Sequence, residues 1–282
     1  MKLIILGSGG SVSIPRPFCN CENCSKAREK GIPWARTGPS MFLVDESILF
    51  DTPEEIRIQI EREKIKQIKH VFYTHWHPDH TQGLRIFEHI YFSHPDEPKK
   101  ELVNVYIPEN AFSDFEKFCS SIFFPEKKGY IKIDKIQDRV PIKIGTTSIT
   151  PLDFKRKDRI RYGYLIEQNG KRAVYAPCSV FDISLDEYYQ NLDLVLMEIG
   201  WFGNTQETRA KLPKGRVWHD HISFEENLEI IRKIRPQRTI LVHIDGTRHL
   251  KSDANHDFLS ERAKKCKDFN IDIAYDGMKI EL

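Results

Sequence analysis

Residues 74–80 read Thr74-His75-Trp76-His77-Pro78-Asp79-His80, which sets three histidines and an aspartate within six positions. Imidazole and carboxylate together suit a divalent cation such as zinc, manganese or iron. The pattern H-x-H-x-D-H offers four ligands from one short turn. Neither a helix nor a strand aims all four at one ion, so the spacing predicts a loop. The preceding Lys69-His70-Val71-Phe72-Tyr73 reads as a short buried strand that anchors that loop rigidly.

The chain has 282 residues, enough for one large or two small domains, and 40% apolar residues support a well-buried core. Lys and Arg number 43 against 41 Asp and Glu, a net charge of +2, so no imbalance points to nucleic acid or a membrane surface. No apolar run approaches the length of a membrane span. Met1–Leu6 runs straight into a glycine turn with no secretory-signal pattern, and the expected location is the cytoplasm. Three of the six cysteines fall in Cys19-Asn20-Cys21-Glu22-Asn23-Cys24. In an intracellular chain that clustering reads as metal binding rather than a disulfide framework.

Lys2–Leu6 is an apolar strand ending in the turn Gly7-Ser8-Gly9-Gly10. A loop carries the cysteines, and a helix follows near Ser25–Lys30. Met41–Val44 and Ser47–Phe50 read as a hairpin. Pro53–Glu63, Gln82–His89, Glu109–Phe118, Phe224–Ile234 and Asp257–Asp268 read as helices, and Val103–Ile107, Leu192–Met197, Thr239–His243, Ile271–Tyr275 and Met278–Leu282 as strands. Residues 130–176 hold four or five short strands. Phe112, Phe115, Phe118, Phe123 and Phe124 form an aromatic stripe that suits a core or a lid. Strands and helices alternate in two halves without a linker, as in layered sheets covered by helices, and the expected organisation is one domain over 1–282. His75–His80 and His243 both follow apolar strands, so both are expected at the ends of sheet strands.

With the H-x-H-x-D-H loop, the late strand-end His243 and the N-terminal glycine turn, the chain resembles the metallo-β-lactamase superfamily. Within it the chain looks most like the cyclic phosphodiesterase of the carbon–phosphorus lyase pathway and pyrroloquinoline-quinone biosynthesis protein B. The C-x-C-x-x-C loop is similar to both. Asp79-His80-Thr81-Gln82-Gly83-Leu84, Tyr175-Ala176-Pro177 and Tyr275-Asp276-Gly277-Met278 look like the quinone-pathway protein, and the pair His75 and His77 looks like the phosphodiesterase. The resemblance implies an α/β, four-layer αββα sandwich with metals at one rim. It implies His75, His77, Asp79, His80 and His243 as ligands of one or two divalent ions, zinc, manganese or iron. It also implies a structural zinc on Cys19, Cys21 and Cys24, for which His249 is the nearest fourth ligand and Asp245 an alternative.

Two positions depart from the superfamily pattern. A third histidine is expected at Pro151-Leu152-Asp153-Phe154, where Asp153 is the available substitute. A bridging aspartate is expected at Tyr175-Ala176-Pro177-Cys178, where Cys178 stands; a thiolate binds zinc or iron but bridges two ions less readily than a carboxylate. Asp79, His80 and His243 alone would make a two-histidine, one-carboxylate site with open positions. The resemblance also implies that His221, in Trp218-His219-Asp220-His221, is an acid or phosphate ligand, and that Asp51 orients a ligand histidine. The basic run Lys155–Arg161 suits either an anionic substrate or a solvated loop.

The leading expectation is a hydrolase of a small phosphodiester or related ester, working through a metal-bound hydroxide with Asp79 and His221 as catalytic groups. An iron enzyme resembling the quinone-pathway protein and a non-catalytic metal-stabilised binding protein are the alternatives. The expected partners are a small-molecule substrate, phosphorylated in the leading reading, and a second copy of the chain. Nucleic acid and membrane are not expected.

Overall fold

A computed structural model of the chain describes residues 1–92, 101–154, 160–178, 186–200, 221–245 and 255–282. Among them lie two seven-stranded sheets. The first holds β1 (Lys2–Gly7), β2 (Ser40–Leu43), β3 (Ile48–Phe50), β4 (His70–Phe72), β5 (Val103–Pro108), β6 (Ile131–Ile136) and β14 (Met278–Glu281), in the order β14-β1-β2-β3-β4-β5-β6. The second holds β7 (Ile142–Ile144), β8 (Thr147–Asp153), β9 (Tyr162–Gln168), β10 (Lys171–Ala176), β11 (Leu194–Glu198), β12 (Arg238–Val242) and β13 (Ile271–Ile273), in the order β13-β12-β11-β10-β9-β8-β7.

Alternate residues of one strand point to opposite faces, and here both sets are apolar. Leu3, Ile5, Met41, Phe50 and Phe72 of the first sheet pack against Ile149, Tyr164, Ile166, Leu196 and Val242 of the second. The other faces are buried too. Ile4, Leu6, Leu49, Val71 and Val105 lie with Ile56 and Phe115, and Leu165, Val174, Val195 and Leu241 lie with Ile231 and Leu259. The result is helix, sheet, sheet, helix, as the sequence predicted. Each fully buried Leu, Ile or Phe contributes about 1.5–3 kcal/mol to this packing.

The helices are α1 (Glu22–Lys30), α2 (Ile56–Arg62), α3 (Pro78–Thr81), α4 (Ile86–Tyr91), α5 (Phe112–Phe118), α6 (Phe123–Lys127), α7 (Phe224–Ile234) and α8 (His256–Lys265). None among the described residues is long and apolar enough to cross a membrane. Three boundaries correct the sequence reading. α1 starts at Glu22, so Cys21 is its N-cap and Cys24 sits in its first turn. Asp79 and His80 lie in the one-turn α3 rather than in loop, because Pro78 presets the helical φ at its first position. The helix read over 82–89 is broken: Gln82–Arg85 is a tighter 3-10 turn before α4. A Cβ at Gly83 would lie 2.2 Å from the Pro53 carbonyl oxygen, so glycine permits that close approach.

Strand direction gathers the site. β3, β4, β5 and β6 are mutually parallel, as are β10, β11, β12 and β13. Their C-terminal ends therefore open on common rims, where Asp51, Thr74, Cys178, Glu198 and His243 stand. The two sheets are tied at that rim by a parallel bridge between Gly9 and Ile244. The Gly10 N–H donates to Ile244 O at 3.1 Å, and the Ile244 N–H donates to Ser8 O at 3.0 Å.

Candidate metal centre

β4 ends at Phe72, and the chain then turns over the rim. The Thr74 N–H and hydroxyl both donate to the Asp51 carboxylate, at 2.8 Å and 2.9 Å, which fixes the start of the histidine loop. Asp51 Oδ2 also accepts from His80 Nδ1 at 2.7 Å. Asp51 and His80 are both wholly buried. This bond sets the imidazole so that its Nε2 lone pair is the one available to a ligand.

His80 Nε2 and both ring nitrogens of His243 are buried without a well-formed hydrogen bond, and so is His75 Nε2. The nearest acidic atom is Asp79 Oδ2, 3.4 Å from His80 Nε2 and 3.3 Å from His243 Nε2. Asp79, His80 and His243 can each direct one ligand atom to a shared point, these atoms lying within 4.8 Å of one another. Buried ring nitrogens without a well-formed hydrogen bond converge on a carboxylate, a donor set that fits a divalent cation replacing the imidazole protons. Glycine is required beside it: a Cβ on Gly10 would sit 2.8 Å from His243 Nδ1. His243 itself has φ 55°, the left-handed turn that swings its ring back over the rim from β12.

Electrostatics agree with a cation-seeking cluster. Burial would raise the Asp79 pKa, but His80 and His243 hold it well below the carboxylate range. Burial would lower His80, but Asp79 and Asp51 lift it to about 9. Burial does lower His75, with the Arg161 charge adding to it, so this imidazole stays neutral. Cys178 lies with His75 and His80, within 4.8 Å. Burial would raise its thiol, but His243 and His80 bring it down to about 5, which favours the thiolate. Because His80 Nδ1 is committed to Asp51, its single free nitrogen serves one ion; the His75–His80–Cys178 and Asp79–His80–His243 groups are thus alternatives around one position.

Cys178 also belongs to a second group, with Glu198 and His221. Glu198 Oε2 accepts from His221 Nδ1 at 2.6 Å, and both residues are buried. Burial alone would lower His221, but the Glu198 carboxylate raises it to about 8. The His221 and His243 rings are 5.5 Å apart. α7, capped by the Ser223 hydroxyl and Glu226 in a capping box, holds this corner: its Asn227 side chain donates to Glu198 O at 2.9 Å. Glu198 was not among the residues singled out from sequence. The available signal was an acidic residue directly after an apolar strand.

His77 is placed differently from the other predicted ligands. Arg161 Nη2 lies 2.9 Å from its Nε2 and 3.3 Å from its Nδ1, and Arg161 is 1% exposed. The Arg161 guanidinium comes from the residue before β9, whose Tyr162 N–H donates to Thr74 O at 3.1 Å. The guanidinium brings a fixed positive charge against the ring that an ion on His77 would use. Asp153 is in none of the ligand groups; its N–H donates to Asp138 Oδ1 at 2.8 Å, at the end of β8. Asp79, His80 and His243 therefore form a ligand group, His75 forms another with His80 and Cys178, and His77 instead faces the Arg161 guanidinium.

A family model described as a β-lactamase superfamily domain matches residues 46–244, from before β3 to the residue after His243. The chain belongs to the metallo-β-lactamase superfamily. Solved metallo-β-lactamase folds similar to it include a diphosphatase of the PhnP family, at 24% identity and TM-score 0.76 over 100% of this chain and 96% of that one. Another is zinc-bound PqqB from Methylobacterium extorquens, at 18% identity and TM-score 0.77 over 100% of both chains. A ribonuclease Z from Borrelia recurrentis (strain A1) is 22% identical over 84% of this chain and 88% of its own length. The superfamily thus contains metal-dependent hydrolases.

Away from the rim, Cys19, Cys21 and Cys24 bring their sulfur atoms within 4.8 Å of one another. A hydrogen bond from the Cys21 backbone and one from Arg16, at 2.9 Å, lower Cys19 to about 6. Three clustered thiols, one already inclined to ionise, are a group that could hold a metal ion. Lys26 of α1 pairs with Asp257 of α8, and the Trp34 indole donates to the same carboxylate at 3.2 Å, so the cysteine loop is docked on the second sheet's helices. His249 lies outside the described residues, as do Lys155–Arg159 and Trp218–Asp220.

Proposed function

We propose that this chain is a metal-dependent hydrolase of a small phosphodiester or related ester. The observation that carries the reading is the buried His221–Glu198 pair standing beside the Asp79–His80–His243 ligand set. A divalent ion on that set would supply Lewis acidity and a bound water whose pKa is about 7 rather than about 15.7. Asp79 is the ligand with an oxygen to spare: Oδ2 faces the two imidazoles, leaving Oδ1 to accept the proton of the attacking water. With Nδ1 fixed on Glu198, His221 presents Nε2 as the proton donor to the leaving oxygen. Its pKa of about 8 keeps it protonated near neutral pH.

Zinc- or manganese-loaded protein should cleave bis(p-nitrophenyl) phosphate, and His221→Ala should reduce turnover by about 10²- to 10⁴-fold. Absence of turnover with zinc, manganese and iron alike would count against the reading. The pH profile offers a sharper check. Activity that needs protonated His221 falls as pH rises past about 8. Glu198→Gln removes the charge that raises His221, so the alkaline limb should move to lower pH. An unmoved limb would mean that His221 is not the acid.

One observation favours a second reading. Two histidines and one carboxylate beside a thiolate also suit a single iron and redox chemistry. Oxygen uptake by iron-loaded protein, with no phosphodiester turnover, would select it.

A further inference from the structure

Arg161 is a buried charge of this rim that neither reading has used. Its side chain is buried, its Nη1 donates to its neighbour's Ile160 O at 2.9 Å, and its Nη2 faces His77. Its Nε is buried without any partner. No carboxylate among the described residues forms an ion pair with it. A guanidinium keeps its charge at every ordinary pH. A buried charge without a counter-ion is strongly unfavourable unless an anion completes it. The position of that charge is also specific. It stands against His77, on the side of the rim where a second ion would otherwise sit, and its field reaches His75.

We propose that Arg161 is the second cation of this site and binds an oxyanion of the substrate, phosphate or carboxylate. In this arrangement the ion on Asp79, His80 and His243 and the guanidinium beside His77 would flank one negatively charged group. Arginine suits the role because its planar fork donates two parallel hydrogen bonds to such a group. His77 would then be a positioning residue, holding the guanidinium in place rather than ligating metal. The inference does not depend on hydrolysis: an oxidised or merely bound anionic substrate would use the same arginine.

The test is calorimetric titration of the zinc-loaded, full-length chain with inorganic phosphate and, separately, with acetate. Wild type should bind at least one of them. Arg161→Met should weaken that binding by about 10- to 100-fold, the effect of losing hydrogen bonds to a charged group, with metal content unchanged. Arg161→Lys keeps the charge but loses the fork and should fall between the two; it also serves if the methionine variant does not fold. Preference for phosphate or for acetate identifies which oxyanion the site takes. Equal anion affinity in wild type and both variants, or no binding by wild type to either anion, overturns the proposal. Anion binding that depends on Arg161 in a protein without phosphodiesterase turnover would support it while removing the hydrolase reading.

Discussion

Asp51→Ala is expected to destabilise the fold by about 3–5 kcal/mol and, separately, to weaken active-site metal binding by about 10- to 100-fold. The stability loss follows from what the carboxylate satisfies. The Thr74 N–H, the Thr74 hydroxyl and His80 Nδ1 all donate to it, within a pocket closed to solvent. Alanine leaves three buried donors facing a void, each an unmet hydrogen bond worth about 1–3 kcal/mol. The affinity loss follows because His80 loses the partner that aims Nε2 at the ion. Asp51 has φ 60°, a left-handed conformation that asparagine tolerates, so Asp51→Asn separates the two effects. It should keep most of the stability while still losing metal affinity. Thermal unfolding in excess chelator reads the first effect and zinc titration the second. Unchanged metal affinity in both variants would show that Asp51 only packs.

Asp79→Ala should abolish turnover, by about 10³-fold or more, and empty the active site of metal, while the thiolate site keeps its ion. Asp79 is the carboxylate on which His80 Nε2 and His243 Nε2 converge, and its remaining oxygen is the base of the proposed reaction. Losing a ligand and a base together exceeds the effect of losing a general acid alone. Elemental analysis beside activity distinguishes this from a folding defect, because the Cys19–Cys21–Cys24 site lies elsewhere in the fold. Residual phosphodiester cleavage within tenfold of wild type would place the chemistry outside this ligand set.

The site was legible where local sequence carries its geometry. An H-x-H-x-D-H run after an apolar strand, a histidine ending another, and Asp51 after a third all lie at strand ends, and parallel pairing brings strand ends together without further information. The layered fold was legible for the same reason: strands apolar on both faces need a layer on each side. What could not be read depends on pairings distant in sequence. Arg161 looks like the end of a solvated basic run. It is buried because Tyr162 pairs with Thr74, 88 residues away, and drags the preceding side chain under the histidine loop. Glu198 ends a buried strand, and its partner His221 lies 23 residues on, in the connection from β11 to α7, too far for local sequence to pair them. Asp153 sits at the expected position along the chain, at the end of β8, but joins none of the ligand groups among the described residues. Short elements also escaped. One turn of helix at Pro78–Thr81 has no periodicity to detect, and the start of α1 has no side-chain cap to announce it.

In the proposed site one ion, held by Asp79, His80 and His243, does the chemistry of this rim with Arg161 as its fixed cationic neighbour. Anomalous diffraction from crystals of the zinc-loaded protein, collected across the zinc edge, tests it most directly. A single active-site peak is expected within coordination distance of those three side chains, and none between His75 and His77. A pair of ions bridged through Cys178, with the Arg161 guanidinium displaced from His77, would contradict it.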